Sequence, residues 1–257
     1  MNRGQGGLFL RIVTLVLAAG QSVTTVACFY LGTSFEEATR GIGSGSPLIE
    51  PAGYAFVIWA LIYGASIIFG IYQLPARQPE NPVLERIRPW MASAFLGTNV
   101  WLILARFGPL WGTPICILWM AVSLIPAFLM VTRKNPATAN ERWCQVVPVA
   151  VFTGWVVIAT FANLASVLKD NSLLGFVHHE LAWSVAMIIS ACVIACMLIF
   201  RSRGNLWFGA TVVWALAAIA AANIGLRNTS PVAILAGCAI LAVGLTLLRS
   251  RKAMERV

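Results

Sequence analysis

Apolar residues fill eight long runs of the chain, and polar residues are concentrated in the short connections between these runs. The runs cover residues 8–31, 51–73, 88–106, 111–131, 143–167, 180–200, 206–226 and 231–248. A helix of about 20 apolar residues crosses a bilayer, and backbone amides in lipid must be paired within their own segment. The pattern therefore predicts an all-α integral membrane protein, a bundle of about eight transmembrane helices.

The composition supports this class and excludes an ordinary soluble domain. Hydrophobic residues make up 59% of the chain and charged residues 11%, whereas charged residues make up about 25% of a soluble domain. The formal net charge of +9 does not indicate a nucleic-acid partner, because the basic residues lie in separate connections and not on one face. The lipid bilayer is the partner that the composition predicts.

The basic residues also predict the orientation of the chain. The N-terminus, the second, fourth and sixth connections and the C-terminus carry 14 of the 18 Lys and Arg residues. The other four are Arg40, Arg106, Lys169 and Arg227. Because basic residues accumulate on the cytoplasmic side, we expect a protein of the bacterial inner (plasma) membrane with both termini in the cytoplasm. If the last two runs formed a hairpin that did not cross, the orientation would be the same, so six crossings also satisfy the rule.

Two interpretations of the first run stay open. The start MNRGQGGLFLR, followed by apolar residues, is typical of a signal peptide that is removed. The apolar run continues as far as Leu31, which is too long for a usual signal core and favours a retained helix.

Groups that carry proton, metal or nucleophile chemistry are not found in the middle of the runs. All nine acidic residues and all three lysines lie in connections or at run ends, which argues against an ion-coupled pump or a retinal protein. His178 and His179 precede Glu180, but adjacent helical residues point about 100° apart and chelate poorly together. The six cysteines lie in or beside apolar runs, so we expect no disulfide framework. We assign no catalytic residue and no metal ligand, and we expect no required cofactor.

Aromatic rings and amides at helical spacing are a feature that crossing a bilayer does not require. In the second run, Trp59 and Tyr63 are spaced i, i+4. In the fifth run, Trp155, Ala159 and Asn163 are spaced i, i+4, i+8. Each set therefore shares one helix face, and the small Ala159 leaves a notch between a ring and an amide.

The third run adds Asn99 and Trp101 within the stretch LGTNVW. An amide is costly in hydrocarbon unless it bonds across helices or to a ligand, and a buried indole N–H needs an acceptor. Two explanations stay open for all these side chains: packing between helices, or a ring-lined pocket for a flat ligand.

Ten tryptophans fall into two sets of five. One set flanks the runs and is typical of a belt at the membrane interface: Trp90, Trp111, Trp143, Trp183 and Trp207. The other set lies deeper: Trp59, Trp101, Trp119, Trp155 and Trp214. The rings of the deeper set could serve either packing between helices or a pocket for a flat ligand.

Three motifs together resemble the tryptophan-rich sensory protein/translocator protein (TspO/MBR) family. Residues Pro51, Tyr54, Phe56, Trp59 and Tyr63 are similar to its second-helix signature. The stretch FLGTNVW is similar to its third-helix Leu-Asn-x-x-Trp, and WVVIATFAN to its fifth-helix Trp-x-x-x-Ala-x-x-Leu-Asn. The start PAGYAF resembles a divergent bacterial branch. The resemblance implies a five-helix core at 1–167, a three-helix C-terminal membrane extension at 168–248 and a basic cytoplasmic tail at 249–257.

The resemblance also implies a ligand. Members of the family bind tetrapyrroles such as protoporphyrin and haem, and other flat apolar molecules, inside the helical bundle. Porphyrin or haem would be a ligand here, not a required cofactor. The positions that match the family motifs, with the neighbouring ring, are Trp59, Tyr63, Asn99, Trp101, Trp155, Ala159 and Asn163. Two spacings, from Phe56 to Trp59 and from Asn99 to Trp101, are one residue shorter than in the family pattern and leave the natural ligand open.

We therefore predict a membrane receptor or sensor that binds a tetrapyrrole or similar flat ligand, with transport of that ligand as an extension. Two alternatives stay open: a facilitator or exporter of a small amphipathic solute, and an enzyme that degrades tetrapyrroles. Nothing in the sequence demands catalysis, so binding is favoured over enzymatic activity. Small residues such as Gly64 and Gly70 are compatible with a homodimer.

Overall fold

The computed structural model describes residues 3–31, 45–75, 81–133, 136 and 138–255. These described residues form eight long helices and no strand. The helices are α1 (Arg3–Leu31), α2 (Ile58–Tyr72), α3 (Pro82–Phe107), α4 (Gly112–Val131), α5 (Val147–Asp170), α6 (Glu180–Arg201), α7 (Leu206–Gly225) and α8 (Ser230–Glu255). The prediction of an all-α membrane bundle with about eight helices is confirmed.

Short helical turns precede two of the helices. A 3-10 turn at Gly53–Val57 leads into α2. A turn at Ala139–Glu141 and a π-helical turn at Arg142–Val146 lead into α5. The apolar stretches that contain α2 and α5 are therefore longer than the α-helices themselves, at 20 and 32 residues.

Seven stretches of the described chain are long and apolar enough to cross a membrane. They correspond to α1, α2 and α4 to α8. The eighth helix, α3, includes Arg88 and Arg106 and has Thr98 and Asn99 in its middle, and these residues lower its mean hydropathy. Because α3 packs against both α1 and α4, other helices can satisfy its polar side chains.

Helix α3 begins at Pro82, one and a half turns before the predicted run at residue 88. The Asn81 side chain accepts hydrogen bonds from two backbone N–H groups of the first turn, at 3.0 and 3.2 Å. Pro82 then occupies the start of the helix, where its missing N–H costs nothing. The apolar run did not predict this start because the first two turns carry charged residues. Arg88 therefore lies well inside the helix.

Four of the basic residues that predicted the orientation lie outside the described residues: Arg40, Arg77, Lys134 and Arg256. The orientation stays a prediction, and so does the division into a core at 1–167, an extension at 168–248 and a tail at 249–257.

The chain divides into two compact units. The first unit comprises the described residues of 3–31 and 58–153, and the second comprises those of 45–57 and 154–255. The boundary falls inside α5, so this helix supplies its first turns to one unit and the rest to the other.

In the first unit, α1 packs against α2 and α3, and α3 packs against α4. Three buried rings lie at its centre: Phe69, Phe95 and Phe152. The Phe95 ring lies 6.2 Å from Phe69, edge to face, and 6.3 Å from Phe152, with nearly parallel planes. Such pairs add about 0.5–1.5 kcal/mol beyond the area they bury. They join α2, α3 and the start of α5.

In the second unit, α8 packs against α6 and α7, and residues 45–57, which we call the pre-α2 segment, are bound to α7. The Ala52 N–H donates to the Ala218 carbonyl at 3.1 Å. Trp214 Nε1 donates to the Ala55 carbonyl at 3.2 Å. These bonds satisfy backbone groups that have no regular helix to pair them.

A polar network holds the other end of the pre-α2 segment. Asn223 Nδ2 donates to the Leu48 carbonyl at 2.7 Å. The Arg227 guanidinium donates to the Glu50 carbonyl at 2.9 Å and to the Ser46 hydroxyl. The network therefore fastens an irregular segment to the end of α7.

An ion pair extends this network to α5 and α6. Lys169 Nζ lies 3.0 Å from Glu180 Oε1 and also donates to the Ser46 carbonyl at 3.2 Å. Glu180 accepts in addition from the Leu48 N–H at 3.0 Å. Glu180 thus has a structural role in this network, while the neighbouring His178 is exposed to solvent.

Candidate functional site

Four aromatic rings meet in the first unit, and we call them the ring cluster: Trp59, Tyr63, Trp101 and Phe152. The rings of Trp59 and Trp101 stack with centroids 5.5 Å apart and planes 23° apart. Trp59 also lies 5.6 Å from the Tyr63 ring, one turn along α2, and 6.3 Å from Phe152 on α5. Three of the seven predicted site residues therefore meet here.

One polar atom of the ring cluster faces no acceptor. Trp101 Nε1 is buried and has no hydrogen-bond partner among the described residues. Leaving a buried donor without a partner costs about 1–3 kcal/mol. The indole ring as a whole is only half-buried, so the site combines a desolvated N–H with an accessible ring.

Asn99, the fourth predicted residue in this unit, is occupied by helix pairing. Its Nδ2 donates to the Leu17 carbonyl at 3.1 Å and to the Phe95 carbonyl at 2.8 Å. Its Oδ1 accepts from the Thr24 hydroxyl at 2.8 Å. Contact with a ligand would require the amide to exchange one of these bonds, and its role as a ligand anchor stays a prediction.

Helix α1 contributes residues that the sequence did not single out. Besides Thr24, the Thr25 side chain lies near the Tyr63 phenol. Gly20 allows the close approach of α3, because a Cβ at this position would lie 3.3 Å from Asn99 Oδ1. The adjacent threonines in an apolar run were the available signal, but their partners are too distant in sequence to be paired by spacing.

The other three predicted residues lie on α5 in the second unit. Trp155, Ala159 and Asn163 are all within the regular helix, so the i, i+4, i+8 spacing does place them on one face. The Trp155 ring is buried and meets the edge of Phe56 at 5.8 Å. Asn163 Oδ1 is buried with no hydrogen-bond partner among the described residues. This face therefore also has a ring, a small residue and an unsatisfied amide oxygen.

Two of the deeper tryptophans have packing roles. Trp119 Nε1 donates to the Ser93 hydroxyl at 2.9 Å and joins α4 to α3. Trp214 binds the pre-α2 segment and lies 5.6 Å from the Tyr54 ring, edge to face. Packing within the fold thus explains both side chains, and Trp119 is suited as a control position for ligand binding.

Each of these two arrangements, taken by itself, has the usual composition of a site for a flat apolar molecule. The ring cluster offers stacked and edge-on rings with an indole N–H, and the α5 face offers a ring with an amide oxygen. Among the described residues, no group of three His, Cys, Asp or Glu side chains could hold a metal ion.

Comparison with known proteins agrees with the motifs. A family model described as TSPO-like protein matches residues 9–249, a span that includes all three motifs and nearly the whole chain. No curated protein and no solved structure matches the chain. The resemblance inferred from the motifs on α2, α3 and α5 is confirmed, and the chain belongs to the TSPO-like protein family.

Proposed function

We propose that this membrane protein binds a tetrapyrrole, or a similar flat apolar ligand, against the ring cluster. The observation that carries the proposal is the stack of Trp59 on Trp101, together with the buried Trp101 N–H that no described residue accepts. A flat conjugated ligand gains area from the indole faces, and a carboxylate or carbonyl on its edge accepts the N–H.

The family resemblance supports a second proposal, that a ligand of the same class binds on the α5 face by itself. Ala159 would leave room for a ligand beside Trp155, and Asn163 Oδ1, a buried acceptor without a described partner, would receive a ligand N–H. The support for this part is the order of ring, small residue and amide on one helix face, which is similar to the family motif. The two parts are tested separately, because each has its own variants.

The proposal is tested by titrating the purified protein with protoporphyrin IX and following tryptophan fluorescence and the porphyrin Soret band. Trp101→Phe keeps a ring and removes the N–H, so we expect the Kd to rise about 5- to 10-fold, or roughly 1 kcal/mol. Trp119→Phe is the matched control, since its N–H bonds to Ser93, and its Kd should stay at the wild-type value. Equal effects of both substitutions would contradict the assigned site.

We also propose that the protein lies in the bacterial inner membrane with both termini in the cytoplasm. The support is the concentration of basic residues in alternate connections. A fluorescent-protein fusion after Val257 should fluoresce, and an alkaline phosphatase fusion at the same position should be inactive. Active phosphatase at the C-terminus would overturn the orientation.

A further inference from the structure

Two buried arginines lie close together in the first unit, away from the ring cluster. Arg11 on α1 is 8% exposed and Arg88 on α3 is 3% exposed. Gln73, just after α2, is fully buried and joins them. Its Nε2 donates to the Arg11 carbonyl at 2.7 Å, and its Oε1 accepts from Arg88 Nε at 2.8 Å. One amide therefore fixes both helices and orients the Arg88 guanidinium.

The positive charges of this pair are not neutralised within the described chain. No carboxylate among the described residues forms an ion pair with Arg11 or Arg88, and the two guanidinium groups repel each other. Glu85, one turn before Arg88 on α3, acts on it electrostatically but is itself exposed to solvent. Arg11 Nε and Arg88 Nη2 are buried and have no hydrogen-bond partner among the described residues. Two buried charges of like sign are stable only with a counter-charge.

The surroundings indicate where such a counter-charge comes from. Beside Arg11, α1 presents apolar side chains to the outside: Leu8, Phe9 and Ile12 are 53%, 64% and 49% exposed. Such a surface is suited to acyl chains. The predicted orientation places this end of the helices at the cytoplasmic leaflet, where anionic lipids are concentrated.

We propose that Arg11 and Arg88, positioned by Gln73, form a binding site for a phosphate group. The phosphate is carried by the headgroup of an anionic lipid whose chains lie along α1, or by a phosphorylated solute. A planar guanidinium recognises phosphate through two parallel N–H donors, and each arginine here has an N–H that the described chain leaves unpaired. The site is independent of the tetrapyrrole proposal, since it uses none of the ring-cluster residues.

The test is thermal unfolding of the full-length protein in a maltoside detergent, which contains no phosphate. Phosphatidylglycerol, phosphatidylcholine and inorganic phosphate are titrated separately. The variants are Arg11→Gln and Arg88→Gln, and the matched control is Arg86→Gln, an exposed arginine on the same turn of α3. We expect phosphatidylglycerol to raise the Tm saturably, at a concentration at least 10-fold below that of phosphatidylcholine. The Arg11 and Arg88 variants should lose this response and the Arg86 variant should keep it.

The outcomes separate the two sources of phosphate. A response to phosphatidylglycerol alone supports the lipid, and an equal response to inorganic phosphate, lost in the same two variants, supports the solute. No response to either, or equal loss in the Arg86 variant, would overturn the site.

Variants that do not fold leave the wild-type protein as a second test. Native mass spectrometry of partly delipidated protein should show phosphatidylglycerol retained at least 10-fold more than phosphatidylcholine from an equal mixture. Equal retention of the two lipids would count against a lipid source, and the inorganic phosphate titration then decides whether the site exists.

Discussion

Polar residues inside the described helices differ in what their side chains bind: some bond within their own helix, some join two helices, and several buried polar atoms have no described partner. Asn99 uses its oxygen and both amide hydrogens on backbone and side-chain partners from α1 and α3. Trp101 Nε1, two residues later, has no described partner. We therefore propose that a ligand bonds to the Trp101 indole N–H and not to the Asn99 amide.

The Thr24 to Asn99 hydrogen bond predicts a stability effect. Thr24→Val keeps the side-chain shape and removes the hydroxyl, so it should lower the free energy of unfolding by about 0.6–1.7 kcal/mol, the range for interhelical bonds in membranes. The measurement is thermal or urea unfolding in detergent.

Thr14→Val is the matched control for this substitution. Among the described residues, the Thr14 hydroxyl bonds to the Leu10 carbonyl of its own helix alone, so the lost bond joins no second helix. A larger loss of stability for Thr14→Val than for Thr24→Val would contradict the prediction that the Thr24 to Asn99 bond stabilises the packing of α1 on α3.

At the scale of elements, the pre-α2 segment contains a buried acid, Glu50. Burial raises the pKa of Glu50 from its ordinary value of 4.5 to about 7, and Asp170 adds to this rise, while Arg227 and Lys169 oppose it. Arg227 donates to the Glu50 carbonyl, so the bond holds the backbone of the segment and leaves the carboxyl group to its desolvated surroundings.

This raised pKa predicts a pH-dependent stability. Between pH 4.5 and about 7 the folded protein keeps a proton that the unfolded chain releases, so stability falls as the pH rises through this window and is level above it. The loss is on the order of 3 kcal/mol. In Glu50→Gln this contribution should disappear, and the variant's stability relative to wild type should increase from pH 4.5 to 7.

Denaturant unfolding at several pH values checks this prediction. Glu85→Gln, which removes an exposed acid, should follow the wild-type curve. Parallel curves for wild type and Glu50→Gln would contradict the assignment.

The contact between α5 and α7 predicts a second effect at this scale. A Cβ on Gly154 would lie 2.9 Å from the Phe208 carbonyl oxygen and 3.0 Å from Thr211 Cβ. Gly154→Ala should therefore lower the free energy of unfolding by roughly 1–3 kcal/mol. Gly237→Ala on α8 is the control, because no atom lies within 4 Å of its Cβ position. It should leave stability unchanged or raise it by up to about 1 kcal/mol.

The helices could be predicted because the backbone amides of an apolar run in lipid must be paired within the run, and a helix pairs them. Their ends could not be predicted as well, since capping decides them: Asn81 starts α3 in a charged stretch that the apolar pattern excluded. Spacing within a helix placed Trp59 beside Tyr63, and Trp155 on one face with Asn163. Contacts between helices could not be predicted from spacing. Thr24 and Asn99, for example, bond to each other but are 75 residues apart in the sequence.

At the scale of the whole molecule, the family match extends beyond the motifs. The motifs lie before residue 168, whereas the matched span runs to residue 249. The C-terminal helices have a visible structural role within their own unit, since α7 binds the pre-α2 segment through Trp214 and Asn223. The C-terminal helices therefore hold the pre-α2 segment, which precedes α2 in the chain.

The central claim is that the protein binds a flat ligand at the predicted residues, and one titration tests it most directly. Wild-type protein in lipid nanodiscs is titrated with protoporphyrin IX beside Ala159→Phe, which fills the α5 notch, and Ala60→Phe, which adds the same ring at an exposed position on α2. We predict saturable binding in the micromolar range, about −8 kcal/mol, weakened at least 10-fold by Ala159→Phe and unchanged by Ala60→Phe. Binding that does not saturate, in protein whose helical circular dichroism is intact, would contradict the claim.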